Sequence, residues 1–136
     1  MRDESALQQF TKDAVERFGA IDVWINNAGV LDPIAPTRDV TVDAFREHID
    51  INLTGVFIGS RCYIDHVRGR DGGGVLINIS SGAAWNGYAG WSAYCAGKAG
   101  VALLTQTIAI EEAEAGLRAH AAVSYTHLTL PTICSV

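Results

Sequence analysis

The chain has no run of basic residues. Its 10 lysines and arginines are outnumbered by 15 aspartates and glutamates, giving a net charge of −5. Without a cationic patch to neutralise phosphates, nucleic acid and anionic membrane surfaces are excluded as expected partners. No apolar run approaches the roughly 20 residues needed to cross a bilayer. Cysteine is scarce: Cys62, Cys95 and Cys134 have neither metal-ligand spacing nor the look of a disulfide frame. A reducing cytoplasm is therefore the expected setting, no metal is expected, and Cys95 reads as a small packing residue. His48, His66, His120 and His127 show no ligand spacing either and are assigned to surface or core. The start, Met1-Arg2-Asp3-Glu4-Ser5, is charged and unlike a signal peptide.

What the chain does have is apolar content. At 49% hydrophobic and 18% charged over 136 residues, it can bury a core and forms one domain or part of one. Leu7, Phe10, Ala14, Val15 and Phe18 make one stripe on a helix over 4–18, capped by Gly19. A strand over 21–26 ends at Asn27-Ala28-Gly29. Pro33 and Pro36 make the segment 31–40 a loop. Thr41 can cap a long helix to about Val67, with Phe45, Ile49, Leu53, Val56 and Phe57 as its stripe. Arg70 to Gly74 reads as a flexible turn into a buried strand at 75–79. A third helix runs from Ser92 to about Ala115 and stops at Gly116, and 117–122 can begin a further strand. Strands alternating with helices argue for an α/β fold with a parallel sheet and right-handed crossovers.

The most informative stretch runs from Ser80 to Lys98. Ser81 stands thirteen positions before Tyr94, and Lys98 four positions after it. Four positions is about one helical turn, so Tyr94 and Lys98 share a face. An ammonium beside a phenol favours the phenolate and lowers a pKa that is ordinarily about 10. Such a tyrosine can exchange a proton with a substrate oxygen near neutral pH. Ser81 follows an apolar strand, at the carboxyl end where open α/β sheets bind ligands.

Four pieces in this order resemble the short-chain dehydrogenase/reductase family: Asn26-Asn27-Ala28-Gly29 after a strand, Asn52 in Asp50-Ile51-Asn52-Leu53-Thr54-Gly55, Ser81 after Ser80, and Tyr94 with Lys98. A Y-x-x-x-K pair alone is weak, but all four together are specific. The resemblance covers Asp3 to about Ala122. It implies an incomplete Rossmann-like, doubly wound parallel sheet in three α/β/α layers. It implies an NAD(P)-dependent oxidoreductase that interconverts a carbonyl and an alcohol on a small molecule, with NADP slightly favoured over NAD. It further implies a catalytic set of Asn52, Ser81, Tyr94 and Lys98, and a cofactor-binding set of Asn27, Ala28, Gly29, Tyr94 and Lys98. Tyr94 would be the acid or base, Lys98 would lower its pKa and bond the nicotinamide ribose, Ser81 would polarise the substrate oxygen, and Asn52 would hold a water leading to Lys98. Ser80, rather than Ser81, is the expected turn cap. The two long helices are expected to form homodimer or homotetramer contacts.

The segment from Gly87 to Ala99, with Ile108 to Glu112, is similar to the sepiapterin-reductase and benzil-reductase branch, and Trp85, Tyr88 and Trp91 would suit a flat apolar substrate. Two other classes share part of this pattern. A sugar-nucleotide epimerase or dehydratase shares Y-x-x-x-K but not the N-N-A-G element. A non-catalytic α/β module would be expected to lack one of Ser81, Tyr94 and Lys98.

The glycine-rich G-x-x-x-G-x-G loop of the family is absent, as is the segment expected after Ala122. The chain is therefore expected to be truncated at both ends, with a partial reductase domain over 1–122. Residues 123–136 resemble a translated sequencing adapter and are expected to be non-native. Such a piece should be marginally stable, bind cofactor weakly and be inactive alone, because a sheet edge and apolar faces would lie uncovered.

Overall fold

The computed structural model describes residues 3–123. Helix α1 spans Glu4–Phe18. Asp3 caps its start by accepting a hydrogen bond from Ala6 N at 3.0 Å, and Gly19 ends it at φ 85°. That positive φ suits glycine, which has no Cβ to clash there. Strand β1 is Val23–Asn26, two residues shorter at its start than the hydrophobic run suggests. The Ile21 N–H is instead taken by the His66 ring, donating to Nε2 at 3.1 Å.

The loop before the second helix holds a short 3₁₀ turn, Thr37–Asp39. Thr41 then caps α2, Val42–Ile49, accepting from Ala44 N at 3.2 Å. The expected single long helix is interrupted: Asp50–Thr54 winds as a π-helical turn before α3, Gly55–Arg68, continues. Such a turn adds a residue to the helical period and rotates the side chains that follow it. Strand β2 is Gly74–Ser80. A 3₁₀ turn at Gly82–Ala84 follows, then α4 over Ser92–Glu111 and β3 over Leu117–Val123. Helix α4 therefore ends four residues before Ala115. The linking segment turns to Gly116, whose φ is 75°, and the Gly74 N–H bonds to its carbonyl. Gly73 is packed against this corner so closely that a Cβ there would run into Gly116. The predicted flexible turn is thus held at its end.

The three strands are all parallel, in the order β1-β2-β3, with Asn26 opposite Asn78 and Ser80 opposite Val123. This is the α/β, Rossmann-like parallel sheet that the sequence predicts, in incomplete form. Val123 is the last residue of β3, so the strand passes the expected boundary by one residue; the rest of the expected tail lies outside the described residues.

Trp24, Tyr63, Val67, Leu76, Ile108 and Leu117 make the core between sheet and helices, with Leu7 of α1 packed against it. Trp24 stacks on Tyr63 at 5.8 Å, and Phe10 meets Trp24 edge-on at 6.0 Å. Phe10 and Phe18 stay largely exposed, while Thr11 is the buried residue of α1, its hydroxyl bonded to Leu7 O. Among the described residues the helices contribute to the core on this face. On the other face, Val23 and Ile25 are 51% and 57% exposed.

A buried polar chain crosses the core beneath the strand ends. Trp24 Nε1 donates to Asn26 Oδ1 at 2.8 Å, Asn26 Nδ2 to Asn78 Oδ1 at 2.8 Å, and Asn78 Nδ2 to Thr105 Oγ1 at 2.9 Å. Thr105 Oγ1 passes its own proton to Val101 O at 2.7 Å. Each buried donor has an acceptor, so the chain ties β1, β2 and α4 together instead of weakening the core.

Candidate active site

The register of the sheet assembles the site. Gly29 and Ser81 each stand three positions beyond the paired Asn26 and Asn78, at the carboxyl ends of neighbouring parallel strands. Asn27, Ala28 and Gly29 form an exposed shelf there. A Cβ on Gly29 would come within 2.9 Å of Asn52 Oδ1 and 3.8 Å of Lys98 Nζ. The missing side chain thus leaves a cradle between the Asn52 amide and the Lys98 head.

Asn52 sits in the π-helical turn and is 1% exposed. Its Oδ1 accepts from Val30 N at 2.8 Å, and its Nδ2 donates to Val30 O at 2.7 Å. The second Nδ2 hydrogen points to His48 Nε2 at 2.6 Å. Both donors of this amide are therefore committed to protein, and the side chain can offer a water only the remaining lone pair of Oδ1.

Lys98 lies on α4, almost wholly buried, and donates from Nζ to the Ile79 carbonyl at 2.7 Å. Burial pushes its pKa below the ordinary lysine range. Its Nζ lies 5.6 Å from the centre of the Tyr94 ring, which confirms the shared helix face. Tyr94 is half-buried, meeting His48 edge-on at 6.0 Å and Trp91 edge-on at 5.5 Å. Tyr88 leans on Trp91 at 5.2 Å, so Tyr88, Trp91 and Tyr94 make a continuous aromatic run, with Tyr88 and Trp85 at least half exposed.

Ser81 is the residue that caps the 3₁₀ turn, its Oγ accepting from Ala83 N at 3.2 Å. Ser80, expected in that role, is buried and donates to Lys98 O at 3.2 Å. The alternation of the strand explains the exchange: Ser80 points into the core with Asn78 and Leu76, and Ser81 points the other way. Among the described residues the Ser81 hydroxyl hydrogen has no protein acceptor, so it is free for a ligand oxygen. The Ser80–Lys98 and Ile79–Lys98 bonds fasten α4 to the residues just before Ser81.

The structure thus brings Gly29, Asn52, Tyr94 and Lys98 together and sets Ser81 on the adjoining strand end. The sequence marks neither His48 nor Val30 as functional, and marks Ser80 only as a turn cap. The i, i+4 spacing of His48 and Asn52 was the one available signal. Cys95, read as packing, is half-buried and directs Sγ to Asn86 O at 3.6 Å. Among the described residues no helix is long and apolar enough to cross a membrane.

Residues 1–129 match the family model described as short chain dehydrogenase. The chain belongs to the short-chain dehydrogenase family. It is 42% identical over 108 residues to 3beta-hydroxysteroid dehydrogenase 1 of Eggerthella lenta, covering 79% of this chain and 41% of that protein. It is 36% identical over 113 residues to the (S)-benzoin-forming benzil reductase of Bacillus subtilis, covering 80% and 46%. Carveol dehydrogenase of Mycobacterium avium, solved in complex with NAD, superposes with a TM-score of 0.83 at 30% identity, covering 87% of this chain and 43% of that one. The chain spans less than half the length of these relatives.

Proposed function

We propose that this chain carries the proton-transfer half of an NAD(P)-dependent oxidoreductase that interconverts a carbonyl and an alcohol. The observation that supports this most directly is the meeting of Tyr94, Lys98 and Asn52 around the cradle at Gly29. The epimerase reading loses weight to family membership, and the non-catalytic reading to the presence of Ser81, Tyr94 and Lys98 together.

A nicotinamide dinucleotide fits the residues present, since the side-chain-free cradle at Gly29 lies beside a desolvated lysine head. Asn27, Ala28, Gly29, Tyr94 and Lys98 would hold its ribose end, which NADP and NAD share. When bound, the nicotinamide supplies a hydride to the carbonyl carbon or takes one from the alcohol carbon.

Tyr94 gives its phenolic proton to the substrate oxygen in reduction and takes it back in oxidation. Ser81 donates its free hydroxyl hydrogen to that oxygen and polarises it. Lys98 stands beside the Tyr94 ring, and burial makes its ammonium a readier proton donor. Asn52 holds the loop at Val30 in place beside Lys98. The run Tyr88, Trp91 and Tyr94 supports a flat or cyclic apolar substrate, a class that fits relatives named for a hydroxysteroid, benzil and carveol. The free thiols of Cys62 and Cys95 suit a reducing cytoplasm. The apolar exposed Phe57, Leu103 and Ile110 on α3 and α4 support a homo-oligomer through these helices.

The test is a chimera in which residues 3–123 replace the matching segment of the Bacillus benzil reductase. It is assayed with NADPH and NADH against steroid, aromatic diketone and terpene ketones. Oxidation of the nicotinamide with formation of the alcohol is expected. A folded chimera that binds cofactor but reduces no ketone would count against the reading.

A further inference from the structure

We infer that His48 is a positioning residue of this site, locking the Asn52 amide through one defined tautomer. The inference rests on the oxidoreductase reading for its importance, but its geometry stands apart from it.

His48 is 1% exposed, on the last turn of α2. Its Nδ1 faces the Asp32 carbonyl oxygen at 2.6 Å, and its Nε2 faces Asn52 Nδ2 at 2.6 Å. A carbonyl oxygen can only accept, so Nδ1 carries the hydrogen. An amide nitrogen can only donate, so Nε2 presents its lone pair. Which end of the Asn52 amide is oxygen and which nitrogen follows from its bonds to Val30 N and Val30 O, without reference to the ring. The ring is therefore neutral with its proton on Nδ1, and the bonds run one way: Asn52 to His48 to Asp32.

The same ring meets the Tyr94 edge at 6.0 Å. It is enclosed from α4 as well: a Cβ on Gly97 would sit 3.5 Å from both His48 Nε2 and Asn52 Cβ. One imidazole thus touches two members of the proposed catalytic set and the backbone of the loop that follows the Asn27–Gly29 shelf. Its one ring proton is committed to the Asp32 carbonyl oxygen. Its part is to keep the Asn52 amide from turning over and exchanging its oxygen and nitrogen.

Nitrogen-15 NMR on the 136-residue chain tests this without cofactor or turnover, so loss of the oxidoreductase reading would not be confused with loss of this one. The His48 ring is expected to show a protonated Nδ1 and an unprotonated Nε2, and the Asn52 side-chain amide to exchange slowly with water. His48→Phe keeps the aromatic edge against Tyr94 but removes the acceptor. It should speed Asn52 side-chain exchange at least tenfold and leave the Asn26 and Asn78 amides unmoved. His48→Gln, with a carbonyl oxygen in the place of Nε2, should restore slow exchange at Asn52. A proton on Nε2 in the unsubstituted chain would overturn the inference. So would an Asn52 amide unchanged in His48→Phe. Should His48→Phe fail to fold, the tautomer and the His48→Gln exchange rate decide the matter, since fast exchange in a folded His48→Gln chain would also contradict it.

Discussion

Lys98 reaches across the end of β2 and donates from Nζ to the carbonyl oxygen of Ile79 at 2.7 Å. The bond joins the helix that carries Tyr94 to the strand that leads into Ser81. It is reinforced by Ser80, whose hydroxyl donates to the Lys98 carbonyl at 3.2 Å. The candidate acid, its lysine and the candidate substrate-polarising serine are thus set relative to one another by two hydrogen bonds that do not involve any ligand. A site prepared in this way has less ordering left to do when its substrate arrives.

Gly29→Ala tests the cradle. The new Cβ would lie 2.9 Å from Asn52 Oδ1, and that amide is held by Val30 and His48 and has little freedom to retreat. A loss of about 1–3 kcal/mol in urea unfolding is expected for such overpacking. Gly87→Ala, where a Cβ would meet nothing within 4 Å, should change the stability by less than about 0.5 kcal/mol.

His66 gives a pH dependence with a definite sign. Burial, with the nearby Arg70 charge adding to it, holds its pKa below the ordinary 6.5, while its ring accepts the Ile21 N–H. Protonation is therefore easier in the unfolded chain than in the folded one. The stability this group contributes is fully present above pH 6.5 and is lost as pH falls through its lowered folded value. His66→Gln should flatten that part of the stability profile when urea midpoints are compared across the acid range. An unchanged slope would show that other groups carry it.

The polar chain in the core predicts unequal losses. Asn78→Leu leaves the Asn26 amide without its closest acceptor and Thr105 without its donor. Thr105→Val removes only the acceptor for Asn78 Nδ2 and the donor to Val101 O. Each buried group left unpaired costs about 1–3 kcal/mol, more where the surroundings stay rigid. Chemical denaturation should therefore rank Asn78→Leu as the more damaging, because leucine also forces a branched apolar group among polar partners.

Much of the site was legible because its spacing is local. Tyr94 and Lys98 are one turn apart on a helix, and Ser81 ends an apolar strand, so periodicity places them on the fold, while their roles come from the family resemblance. The alternation of helices and strands gave the parallel sheet for the same reason. What the sequence hid depends on contacts between distant segments. The π-helical turn at Asp50–Thr54 sits in an uninterrupted apolar pattern, and its rotation is settled by how Asn52 reaches Val30. Ser80 and Ser81 are adjacent and chemically alike, and only the side of the pleat distinguishes the one that fastens α4 from the one that caps a turn. His48 bonds a loop sixteen residues away, which no spacing rule anticipates. Phe10 and Phe18 fit the helical stripe yet remain exposed, because hydrophobic periodicity says which face is apolar and not how much of it is covered.

Tyr94 is proposed to move the proton that accompanies hydride transfer. The direct measurement follows deuterium from the 4-position of labelled NADPH or NADH to the alcohol carbon, in the chimera and in its Tyr94→Phe variant. Deuterium is expected in the alcohol formed by the chimera. The expected rate in Tyr94→Phe is lower by about 10²–10⁴-fold at saturating cofactor, the usual contribution of general acid catalysis. Deuterium transfer at the same rate in Tyr94→Phe would contradict it.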